Sequence, residues 1–68
     1  MNTPTQIETV TSGTNGTNIY EVDGRYYALD GQIDCSTAAA ASEVKRRSWR
    51  QDRNLDDLRK NVRHALGL

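Results

Sequence analysis

Two Asp-Gly dipeptides, Asp23-Gly24 and Asp30-Gly31, constrain this chain more than any other feature. Asp-Gly suits a type I′ turn, because both central residues need positive φ and Gly accepts it without a Cβ clash. The runs around these dipeptides are short, aromatic and β-branched: Asn18 to Val22 (NIYEV), Arg25 to Leu29 (RYYAL) and Gln32 to Cys35 (QIDC). Three such runs joined by two tight turns predict a three-stranded antiparallel meander. Alternation places Tyr20 and Val22 on one face of the first strand. In the second, Arg25, Tyr27 and Leu29 share one face, and Tyr26 and Ala28 the other.

The flanks of this meander differ in character. Residues 1–17 are rich in Thr, Asn, Ser and Gly. The tract Thr11 to Asn18 (TSGTNGTN) has the composition of a turn-forming loop. Before it, Ile7 and Val10 lie in a Thr/Ile/Val run that reads either as a fourth, edge strand or as a flexible segment. From Ser36 the period changes. Ser36 or Thr37 suits an N-cap, and residues 37–50 (TAAAASEVKRRSWR) contain no Gly or Pro, which predicts a helix with Ala38, Ala41 and Val44 inward. Leu55, Leu58, Val62, Ala65 and Leu66 then form an amphipathic stripe. Asn54 precedes it as N-cap, Asp56 and Asp57 fall in the first turn, Arg63 and His64 in the last, and Gly67 just beyond. The expectation is an α+β domain over residues 18–68, with two helices packed on one face of a small antiparallel sheet.

Composition limits what this domain does. Sixty-eight residues with only 12 Ile, Leu and Val and no Phe support one small core. No apolar run approaches the roughly 18 residues that cross a bilayer. The first residues have neither the basic nor the apolar region of a signal peptide, so a cytoplasmic location is expected. Cys35 stands alone, so no internal disulfide and no Cys/His zinc site is expected, and no cofactor is implied. His64, in the last turn of a helix, complements the helix dipole. No nucleophile, base and orienting group can be assembled, and the chain offers little wall for a pocket, so the expectation is a non-enzymatic protein.

The zero net charge conceals an asymmetry. Residues 1–44 carry six acids and one base, whereas residues 45–68 carry eight bases and three acids. Local sign decides which surfaces attract a partner. The densest basic run is Lys45 to Arg53 (KRRSWRQDR). If it is helical, Arg46, Arg50 and Arg53 align, with Arg47 beside them. Trp49, in a chain without Phe, is expected in the core. The three tyrosines divide between the sheet faces, so at least one is partly exposed, and exposed Tyr is favoured at interfaces. The candidate partner-binding residues are therefore Tyr20, Tyr26, Asp30, Asp34, Arg46, Arg47, Arg50 and Arg53.

Two resemblances bear on function. The strand Arg25 to Leu29 with the helix Asn54 to Leu66 is similar to the strand and following helix of HicB-type antitoxin domains; residues 37–50 stand where that family has a Pro- and Gly-containing loop. The small size, the Ala- and Arg-rich helical half and the divided charge resemble, in type and not in motif, the small inhibitors encoded by bacteriophages, of which anti-CRISPR proteins are the best-known group. That resemblance implies a stoichiometric, phage- or mobile-element-encoded inhibitor acting in the host cytoplasm. Its partner would be a bacterial protein or ribonucleoprotein complex that processes nucleic acid. The alternative is a nucleic-acid-binding regulator or antitoxin acting through the basic residues 45–53. Neither reading involves a membrane, and both are compatible with a homodimer.

Overall fold

At Asp23-Gly24 the backbone takes φ values of 55° and 80°, the left-handed pair of a type I′ turn. The strands it joins pair as the alternation requires, with Tyr20 opposite Tyr27 and Ile19 opposite Ala28. The computed structural model describes residues 3–68. Its elements are β1 (Thr5–Ser12), β2 (Asn15–Val22), β3 (Arg25–Leu29), α1 (Ala40–Arg47), β4 (Arg50–Asp52) and α2 (Leu55–Ala65). The four strands form one antiparallel sheet in the order β1-β2-β3-β4. The α+β class, the antiparallel sheet and the two helices of the C-terminal half agree with the sequence reading.

The N-terminal segment is a strand. β1 pairs with β2 from Thr5–Glu21 to Ser12–Asn15, with a register shift between Gln6 and Glu8. Met1 and Asn2, the start of the segment 1–17, lie outside the described residues. The loop expected at Thr11 to Asn18 shrinks to Gly13 and Thr14, and Asn15 to Asn18 belong to β2. Asn18 explains the difference. Its side chain is buried, accepts from Thr9 Oγ1 at 2.6 Å and Gln6 Nε2 at 3.2 Å, and donates to the Gly31 carbonyl. Polar residues that favour turns in isolation are here satisfied across strands.

Residues 32–35 form no strand. Gly31 has φ of 84°, but Asp30 does not follow it into the left-handed region, so no hairpin forms. The chain instead turns off the sheet. Ile33 packs with Tyr20, Val22, Tyr27 and Leu29, and its N–H donates to Tyr20 Oη at 3.0 Å. Asp34 Oδ1 accepts from the backbone and hydroxyl of Ser36, a local turn that competes with sheet pairing. Ser36 and Thr37 are consumed by this turn and do not cap α1, which starts after Ala39 with no side-chain cap. The edge of β3 left open by Gln32–Cys35 is taken by β4.

Placement of the helices on a single face is not what the fold adopts. α1 contributes Ala40 and Val44 to a cluster with Tyr20, Val22, Tyr27, Leu29 and Ile33, whereas α2 contributes Leu58 and Val62 to a second cluster with Val10, Ile19 and Ala28. Tyr20 and Tyr27 lie on one face and Ile19 and Ala28 on the other, so the helices cover opposite faces. Both faces are apolar, and each fully buried aliphatic or aromatic side chain contributes about 1.5–3 kcal/mol. One short helix cannot cover both. β4, running along the edge of β3, carries the chain from one face to the other. The second helix matches its sequence reading closely: the Asn54 side chain accepts from Asp57 N at 3.0 Å, and Gly67 follows the helix with φ of 81°.

Candidate partner-binding surface

The basic run 45–53 spans three kinds of backbone. α1 ends at Arg47, Ser48 is extended with ψ of 139°, and Arg50 begins β4. Arg46, Arg50 and Arg53 thus do not align along a helix. They lie on a helix end, an edge strand and the turn before α2, and all three are exposed. This segment is firmly held. Ser48 N–H and Oγ donate to the Val44 and Lys45 carbonyls, and Trp49 N–H donates to the Ala28 carbonyl at 2.9 Å. Arg25 Nη1 reaches Gln51 Oε1 at 3.1 Å across the β3–β4 pair.

Trp49 is not in the core. The residue is 42% exposed and belongs to neither apolar cluster. The aromatic role expected of it falls to Tyr20, which is wholly buried and bonded to the Ile33 N–H. Tyr20 is therefore unavailable to a partner. Tyr26 is half-buried, packing against the α2 cluster with Leu55 and Leu66.

The acidic candidates serve local structure. Asp30 Oδ1 accepts from Thr17 Oγ1 at 3.1 Å, and its carbonyl accepts from Arg47 Nη2 at 3.1 Å. Asp34 holds the turn into α1, and the hydrogen bonds from the Ser36 hydroxyl and N–H keep its carboxyl below the usual carboxylate range. Both carboxylates remain exposed. Arg47 pairs with Glu43 at 3.3 Å and passes over Gly31, where an added Cβ would come within 2.9 Å of its Nη2. Of the four basic candidates it alone is tied to a carboxylate; among the described residues Arg46, Arg50 and Arg53 form no ion pair.

The division of charge along the sequence is partly stitched together in space. Glu8 on β1 accepts from Arg59 Nε on α2 at 2.6 Å, and Asp56 binds the same guanidinium at 2.9 Å. The Glu8 hydrogen bond, foremost, pushes Arg59 further toward its cationic form. Where the halves touch, opposite charges meet. Lys45, Arg46, Arg50 and Arg53, outside that contact, are exposed. Among the described residues no three His, Cys, Asp or Glu side chains gather to hold a metal ion. Among the described residues no helix is long and apolar enough to cross a membrane. The exposed indole was the feature hardest to read from sequence, since nothing in KRRSWRQDR marks where helix gives way to strand. The chain matches no family profile, no curated protein and no solved structure.

Proposed function

We propose that this chain is a small non-enzymatic binding protein that inhibits a bacterial nucleic-acid-processing complex, as phage-encoded inhibitors of the anti-CRISPR type do. One observation carries the reading. Trp49 is exposed on a segment pinned to β3, with Arg46, Arg50 and Arg53 unpaired in the same stretch. Trp and Arg dominate the few residues that supply most interface energy. A fixed backbone lowers the ordering cost of using them. The complementary surface is acidic and carries a pocket for an indole. Asp30, bonded to Thr17 and Arg47, and Asp34, engaged in a turn with Ser36, support the shape of the domain more than they offer a contact.

A second reading follows from the same residues. Arginines beside an exposed indole also suit phosphate contact with base stacking, the chemistry of a nucleic-acid-binding regulator. The zero net charge weighs against it, since free nucleic-acid binders carry a basic excess.

The test is affinity purification of a tagged chain from bacterial lysate, with and without nuclease. The inhibitor reading expects a protein complex retained after nuclease and lost with Trp49→Ala or Arg46→Glu/Arg50→Glu. Retention that vanishes with nuclease, together with a steeply salt-dependent gel shift, favours the second reading. Retention indifferent to both variants refutes the assignment of this surface.

A further inference from the structure

The solvent-facing flank of α2 carries residues that neither the core nor the Trp49 segment uses. Leu58 and Val62 point into the sheet. At about 100° per residue, Asp56, Arg59, Lys60, Arg63 and His64 therefore follow one another along a different side of the helix. Beyond Gly67 the chain folds back, with Leu68 N–H bonded to the Arg63 carbonyl at 2.8 Å and Gly67 N–H to the His64 carbonyl at 3.1 Å. The result is a shallow groove lined by these five residues and Leu68.

The charges in this groove are unequally engaged. Arg59 is paired with Glu8 and Asp56 and lines one side. Lys60 and Arg63 are exposed and form no ion pair among the described residues. Leu68 is 53% exposed, so hydrocarbon lies beside two free cations.

We propose that this groove is a second binding site, for an acidic protein segment that also carries an aliphatic side chain. Lys60 and Arg63, neighbours at i and i+3, take the carboxylates. Leu68 takes the aliphatic group. Two observations favour a peptide over a nucleic acid. The Asp56 side chain is 86% exposed at the groove and repels a phosphate backbone. The carbonyl end of the α2 dipole also lies beside Arg63 and His64 and opposes dense negative charge. A peptide places its few carboxylates selectively and fills the apolar part.

The experiment is fluorescence anisotropy of a labelled peptide with a single Glu-Glu-Leu segment in a Gly-Ser background against the full chain, with oligothymidylate as the competing probe and circular dichroism to check each variant's fold. Saturable peptide binding is expected. Lys60→Glu/Arg63→Glu should weaken it about tenfold, as two reversed surface charges allow. Leu68→Ser should weaken it to a smaller extent. Trp49→Ala, which removes the contact proposed above, should leave it unchanged, so the two proposals fail separately. The absence of saturable binding, an affinity within twofold of the parent after the double charge reversal, loss of binding with Trp49→Ala, or preference for oligothymidylate each overturns the proposal.

Discussion

Removing one oxygen atom from Tyr20 tests the central packing argument. The ring is wholly buried, and its hydroxyl accepts from the N–H of Ile33, itself 7% exposed. In Tyr20→Phe the ring packing survives and the Ile33 N–H loses its partner. An orphaned buried donor costs about 1–3 kcal/mol; local relaxation of the 31–35 segment places the expectation near 1–2 kcal/mol. A domain of this size has roughly 3–10 kcal/mol in total, so the loss is large. Urea unfolding followed by circular dichroism should show a midpoint lower by about 1–2 M, given a slope near 1 kcal/mol/M for so small a protein. The Ile33 amide should also exchange faster than its neighbours. Partner binding through the Trp49 segment should persist. A midpoint shift under about 0.3 M would show that the hydroxyl does not tie the departing chain to the sheet, and the account of why Gln32–Cys35 leaves the sheet would fall with it.

Other outcomes follow from particular contacts. Leu58→Ala empties the α2 cluster and should cost about 2–5 kcal/mol, read as unfolding or a strongly lowered melting temperature. Gly24→Ala puts a Cβ at φ of 80° and should cost about 1–2 kcal/mol, measured by thermal melting, with no change in partner binding. Asp34 is held below its ordinary range by Ser36, so its contribution is present above the unfolded-state value near pH 4 and is lost as pH falls further. Comparing stability at pH 3 and pH 6, Asp34→Ala should show a smaller acid loss than the parent. Trp49→Ala should cost clearly less than Leu58→Ala, because 42% of the residue is exposed and it belongs to neither apolar cluster; an equal loss by urea unfolding would mean that the indole is part of the core.

The division between local and tertiary information can be traced residue by residue. The Asp23-Gly24 hairpin and the capped helix α2 were legible because each is specified within a few positions: a left-handed turn that needs Gly, and an Asn whose oxygen satisfies the Asp57 N–H. The fate of Asp30-Gly31 was not legible. The same dipeptide makes no hairpin because Tyr20, thirteen residues back, offers Ile33 an acceptor and an apolar cluster. Likewise, residues 48–50 close a run without Gly or Pro that reads as helix, yet the open edge of β3 recruits Arg50–Asp52 as a strand. The candidate site followed that outcome. Arg46, Arg50 and Arg53 were found by their charge, whereas the exposure of Trp49 and the flank of α2 emerge only when the two helices lie on opposite faces.

By itself, then, the amino-acid order determined the turn, the second helix, the strands that meet at Asp23-Gly24 and the opposed charge of the two halves. Each of these depends on interactions between near neighbours. Tertiary structure decided which third strand completes the sheet, which face each helix covers and which aromatic side chain meets solvent. Those choices turn on where two apolar sheet faces find cover and where a free strand edge finds a partner. Both are competitions between distant segments, and no local window of the chain contains them.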